Sequence, residues 1–507
     1  MICRTVLKIG ELIDGAYENK DFEKTKQAIV QGKNVDNEKK LDDLNCAVLN
    51  YFISNGISDL IQFKYNNKLK IGTNDKDFEE SIYHLRKSIN YFSRINIIDG
   101  QTIQYKVMAY TNLANQLDIV GRFVEAIEYW DIATSIYTDF GMAYGNKGLC
   151  LYNYSKLLYD HGHKAIFLKK SRELLNKAIK LPIYLYAKEI FSKKIKEIEK
   201  IIDMDYLESE LTFNNSVCTD SVEETMYNAW CNDNTLYLNP LNDILKHDVV
   251  NQDILTMPSI VAPIDEKIPK YHSFYNQIKQ EYVSARFTFF ESIQMEMPHY
   301  SDKNVLLYNT IDYPKYGLKI EKMKYAFRVL YSLLDKIAYF INDYFDIGIT
   351  ERDVSFKSIW FSQKKGRNGY KYKMDLKQYM INNYNFSLQG LYWLFKDYYD
   401  RKYDIENFLE PESKDIDILR NYMEHKYLKV LEYGIIDDRV DELAYSISIR
   451  EFQAKTLRLL KKIRAALIYL SLAVNQEERF RESQRKINED KGVMPISLQA
   501  FDDDWKF

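Results

Sequence analysis

The chain has 507 residues, too many for one ordinary core, so roughly two to four domains are expected. Hydrophobic residues make up 46% and charged residues 28%, which excludes an intrinsically disordered chain. A formal net charge of −3 excludes a global field that draws in nucleic acid, so any basic footprint must be local. The 9 prolines and 18 glycines leave long uninterrupted segments, which favours helices. The cysteines at 3, 46, 150, 218 and 231 have no C-x-x-C spacing, so neither a disulfide framework nor a zinc site is expected. Met1 to Asp14 lacks a basic start followed by a long apolar run, and the longest apolar stretch, Ala465 to Val474, is too short to span a bilayer. A cytoplasmic protein without a membrane partner is the expectation.

In the first two hundred residues a repeat is visible between Lys106 and Phe140. Tyr110, Leu113, Ala114 and Leu117 share one helical face, Gly121-Arg122-Phe123 makes a turn, and Ala126, Trp130 and Ala133 stripe a second helix. Small residues at 114, 126 and 133 let the two helices approach closely. Thirty-four residues on, Tyr144, Gly148 and Leu151 repeat the first face, and a displaced second helix follows at Ser171, Leu175, Ala178 and Ile179. Weaker copies begin at Asp21-Phe22 and at Phe78. The pattern resembles the tetratricopeptide (TPR) repeat, although no proline closes the repeat at Phe140. The resemblance implies a helical solenoid over residues 1–200, with a concave face that binds a protein or ligand. A scaffold for dimerisation is the other reading. His161 and His163 are read as a loop of the lengthened repeat, since two histidines without a third ligand make a weak metal site.

Residues 201–300 read as an acidic linker and connecting helices. From Ile201 to Leu245 there is no Lys or Arg, but there are nine acidic residues. The segment is either a solvated linker or an acidic strap over a basic groove. A helical stretch from Tyr271 to Met295 follows.

Four segments of helical period then form an up-down bundle. The first, about 318–346, carries Met323, Phe327, Leu330, Leu334, Ile337, Ile341 and Phe345 as one stripe. The second, about 386–400, has Leu391, Leu394 and Tyr398 inward, with Asn385 or Ser387 as cap. The third spans about 413–433, with Ile416, Leu419, Met423, Tyr427 and Val430 inward. The fourth, about 448–480, opens with a Ser448-x-x-Glu451 capping box. It carries Phe452, Thr456, Leu460, Ile463, Leu467, Leu470 and Val474. The fold class is therefore all-α, and residues 481–507 read as a polar tail.

On the third helix Asn421 and His425 lie opposite the core stripe, while Arg420 sits at its margin. Arg420 and His425 are about 140° apart at 100° per residue, so a regular helix does not aim both at one point. Glu424 is expected to pair with Arg420, Lys426 or Lys429.

Residues 300–480 resemble a HEPN domain, the four-helix nuclease module of bacterial conflict and defence systems. The resemblance rests on Asn309-Thr310-Ile311-Asp312-Tyr313-Pro314, the first helix, Tyr392-Trp393-Leu394-Phe395-Lys396-Asp397 and Leu419-Arg420-Asn421-Tyr422-Met423-Glu424-His425. It implies a HEPN domain at 301–480 with Arg420, Asn421 and His425 as catalytic residues, and Ser332 and Lys336 in support. It further implies RNA cleavage without cofactor or metal at a cleft completed by a homodimer or higher assembly.

Chemically, imidazole suits both proton steps because its ordinary pKa lies near working pH, and the guanidinium matches phosphate oxygens. Lys364, Lys365, Arg367, Lys371 and Lys373, interleaved with Tyr370 and Tyr372, form a basic loop suited to RNA, and Lys426 and Lys429 lie beside the motif. The expected function is an endoribonuclease effector of toxin or antiviral type that cuts tRNA or mRNA. The alternative is a non-catalytic interaction or RNA-binding protein. Transfer chemistry at the same motif lacks a Gly-rich phosphate loop or paired aspartates.

Overall fold

The computed structural model describes residues 1–38, 40–65, 75–96, 99–213, 221–263, 268–310, 312–360, 374–397, 413–432, 443–488, 493–501 and 503. Its N-terminal part is a succession of helix pairs. Helix α1 (Arg4–Glu18) packs on α2 (Phe22–Asn37), α3 (Asp43–Tyr65) on α4 (Asp75–Ser93), α5 (Gly100–Ile119) on α6 (Phe123–Ile136), and α7 (Gly141–Leu157) on α8 (His161–Ile179). Helix α9 (Leu185–Glu199) closes against α8. Each pair also touches the next, as a solenoid requires. Small residues bring the axes together. Ala114, Ala126 and Ala133 are buried, and a Cβ on Gly148 would meet Leu175 Cγ at 2.8 Å. One expectation fails here. His161 and His163 lie in the first turn of α8, not in a loop, because the Asp160 carboxylate accepts from the His163 backbone N–H at 2.7 Å and caps the helix.

After α10 (Met204–Glu208) and α11 (Val222–Asp233), the C-terminal helices are α12 (Lys270–Gln294), α13 (Leu318–Tyr344), α14 (Leu376–Asn383), α15 (Phe386–Phe395), α16 (Ser413–His425) and α17 (Ile449–Asn488). The apolar stripes expected for the first and fourth bundle helices are buried in full on α13 with its C-cap Phe345, and on α17. Helix α17 packs against α15, α13 and α12, and α12 runs along α13. Asn385 is the cap of α15, accepting from the Leu388 N–H at 3.0 Å. Ser448 supplies half of its expected box, accepting from the Glu451 N–H at 3.1 Å, while Glu451 pairs with Lys455 at 3.3 Å.

The third bundle helix is shorter than expected. α16 stops at His425, and residues 427–431 form strand β1 (Tyr427–Leu431), paired in parallel with β2 (Ala444–Ser448). From Tyr427 to Val430 exposure alternates, with Leu428 and Val430 buried, and Leu431 at the strand's end is buried as well. Tyr427 and Val430 fit a helical stripe equally well, and over so short a run the two periods cannot be told apart.

The acidic segment also departs from a solvated linker. Asn239, Leu241, Asn242 and Asp243 are buried. Asp243 meets Arg464 of α17 at 2.6 Å and accepts from the Tyr154 hydroxyl of α7 at 3.2 Å, while Arg464 donates to the Tyr237 carbonyl at 2.6 Å. The cation that meets Asp243 lies more than two hundred residues away in sequence, so local charge counting missed it.

Candidate functional site

Helix α16 is unbroken from Ser413 to His425, so Arg420 and His425 keep their divergent directions. Its inner face is anchored by buried Ile416, Leu419 and Met423. Arg420 is half-buried. Its guanidinium lies over the Tyr331 ring of α13, 5.7 Å from the centroid, and its Nη1 donates to Asn421 Oδ1 at 3.1 Å. Asn421 and His425 are exposed. The structure therefore brings Arg420 and Asn421 together, and leaves the His425 ring facing solvent at the C-terminal end of the helix. Among the described residues no hydrogen bond or ion pair joins His425 to Arg420.

The two sides of His425 are held by elements far apart in sequence. On the helix side, Arg328 of α13 donates through Nη2 to the Met423 carbonyl and lies 3.5 Å from Glu424. Glu424 thus pairs across to α13, a partner outside the expected Arg420, Lys426 and Lys429. On the strand side, the Lys315 N–H donates to the Val430 carbonyl at 2.7 Å, and Lys429 pairs with Asp312 at 2.7 Å. That pairing, with a further hydrogen bond from Thr310, holds the Asp312 carboxyl below its ordinary range. Asp312 and Lys315 are thereby placed along β1, just past His425. Lys429 is neutralised locally and adds little to a basic path, contrary to expectation.

Other expected residues are dispersed. The Ser332 hydroxyl donates back to the Val329 carbonyl of its own helix at 2.8 Å, and Lys336 pairs with Glu281 of α12. Neither contact reaches the motif: Lys336 is turned to α12, and Ser332 is bonded within its own helix. Lys426 is exposed beside the motif, with its ammonium 4.9 Å from the Tyr422 ring. Lys364, Lys365, Arg367, Lys371 and Lys373 lie outside the described residues. Among the described residues, no group of three or more His, Cys, Asp or Glu could hold a metal ion, and no helix is long and apolar enough to cross a membrane.

Residues 263–477 match the family model of LA2681-like HEPN. The C-terminal bundle is a HEPN domain. The matched segment opens before α12 and closes within α17, so it takes in the helix that runs along α13. No curated protein and no solved structure matches the chain. The helix pairs ahead of the HEPN domain are consistent with TPR-like repeats. Within the HEPN domain, Arg328 and Tyr331 went unrecognised in the sequence. A charged residue between the core positions Phe327 and Leu330 is a weak signal, since surface arginines flank most helical stripes.

Proposed function

We propose that the chain is a metal-independent endoribonuclease effector whose HEPN domain cuts RNA with Arg420, Asn421 and His425. The observation that carries this reading is the coincidence of the HEPN match with a half-buried Arg420 bonded to an exposed Asn421, and an exposed histidine at the end of the same buttressed helix. Exposure matters because a polymeric substrate must reach the imidazole.

His425 takes the proton of the RNA 2′-hydroxyl, whose oxygen attacks the adjacent phosphorus. Arg420 neutralises the phosphorane, oriented by its contact with Asn421. A second imidazole returns a proton to the departing 5′-oxygen. The products are a 2′,3′-cyclic phosphate and a 5′-hydroxyl. Because Arg420 and His425 diverge on one helix, the cleft takes its second imidazole from another copy of the chain. Exposed apolar side chains on the HEPN domain, among them Leu306, Tyr308, Tyr313 and Tyr427, support a protein partner. The TPR-like region binds the partner or trigger that controls cutting.

Sequencing of cellular RNA ends after induction tests the chemistry. Wild type should create new cyclic-phosphate ends in tRNA or mRNA, and His425→Ala or Arg420→Ala should lower their yield about 10²–10⁴-fold. Equal cutting by His425→Ala, or RNA binding without cleavage by the activated wild type, sinks the catalytic reading and favours an RNA-binding module. Sedimentation should report a dimer or higher assembly, and a monomer that cuts at full rate removes the shared cleft.

A further inference from the structure

The motif rests on one turn of α13. Arg328 and Tyr331, three residues apart, contact its two ends: Tyr331 lies under the Arg420 guanidinium, and Arg328 reaches the backbone of Met423 and the side chain of Glu424. The last carbonyls of a helix lack partners within it, and the final turn frays unless something accepts that task. In α16 the Tyr422 carbonyl is taken by the Lys426 N–H at 3.1 Å, and the Met423 carbonyl by Arg328. A cation here also complements the negative end of the helix dipole. His425 is the next residue but one, and it is the last of the helix.

We propose that Arg328 is a positioning residue for His425, clamping the end of α16 so that the imidazole is presented in one direction. This rests on the ribonuclease reading. Arg328 has a planar fork that serves a carbonyl and a carboxylate together, and the compact ammonium of lysine does not reproduce that geometry. Arg328 is half-buried and its Nε atom is enclosed, with Glu424 as its near anion at 3.5 Å, so it is committed to α16 rather than offered to substrate. Misplacing a catalytic group by about 1 Å is enough to lower a rate about 10²-fold.

The test uses the full chain with RNA substrate, and amide exchange in parallel. Arg328→Ala should lower kcat about 10²-fold with KM held within about twofold, and Arg328→Lys should recover only part of the loss. A residue that binds phosphate directly would raise KM instead. In a His425→Ala background, Arg328→Ala should change the residual rate by less than about twofold, because there is no imidazole left to position. The Lys426 amide should exchange faster in Arg328→Ala while amides in the middle of α13 and α17 keep wild-type protection. Unchanged kcat in Arg328→Ala, an undiminished effect in the His425→Ala background, or unchanged exchange at Lys426 each overturns the proposal. If wild type cuts no RNA in any activated state, the ribonuclease reading falls on that result alone. The exchange measurement then still decides whether Arg328 clamps the helix end.

Discussion

Asp59 on α3 is half-buried near Asp14, and burial together with the Asp14 charge pushes its carboxyl up to about 7. Its ordinary value is 3.8. The folded state therefore holds this proton more tightly than the unfolded chain does. That contribution to stability is fully present below the ordinary value and is lost as pH rises toward 7. Asp59→Asn carries no charge to desolvate, so its melting temperature should gain on wild type progressively between about pH 4 and pH 7 and run parallel above. A difference independent of pH removes the assignment. At this same scale, Arg420, Asn421 and His425 were legible as an unusual trio because their spacing and polarity are local properties. Arg328 was not, because its role depends on a carbonyl supplied by a helix almost a hundred residues away.

The helices of the bundle could be read from their stripes wherever burial extends over several turns, as on α13 and α17. The end of α16 could not. Only pairing with Ala444–Ser448 and the backbone bond from Lys315 makes residues 427–431 a strand. Turns carry a second constraint that spacing does not reveal. Gly121 has φ +88°, and the turn it forms between α5 and α6 lies directly on α15: a Cβ on Gly390 would come 2.3 Å from the Gly121 carbonyl oxygen. Since the obstacle is backbone, it cannot rotate away. Gly390→Ala should cost about 1–3 kcal/mol in denaturant unfolding by forcing α5–α6 and α15 apart. A variant as stable as wild type shows that the two elements can separate without penalty.

Across the whole molecule, the N-terminal helix pairs and the HEPN domain share one apolar core that runs from Val6 to Val474. The buried Asp397 carboxylate meets Arg86 at 2.6 Å, Arg122 at 2.7 Å and Lys462 at 2.7 Å, drawing together α4, the α5–α6 turn and α17. Burial opposes its ionisation, but the charges of Arg122, Arg86 and Lys462 outweigh that and hold its carboxyl well below the usual range. Lys396 pairs with Glu79 of α4 at 2.5 Å in the same junction. Asp397→Asn leaves buried cations short of their shared anion and should destabilise the protein by about 3–5 kcal/mol. The measurement is equilibrium unfolding of the full chain, and a loss below about 1 kcal/mol shows that the cluster is not what joins the two regions.

By itself the sequence determined the helical class, the paired helices around Gly121, the main stripes of the bundle and the trio on α16, since each is written in residue type at short, regular spacing. Tertiary structure decided which charges neutralise one another, where α16 gives way to β1, and what stands behind the trio. Ion pairs such as Arg464–Asp243 and the strand pairing of β1 join residues widely separated along the chain, and a local period carries no information about such partners. His425 was visible in the sequence as a candidate, but the contacts that flank it, Arg328 to Met423 on one side and Asp312 to Lys429 on the other, come from distant parts of the chain.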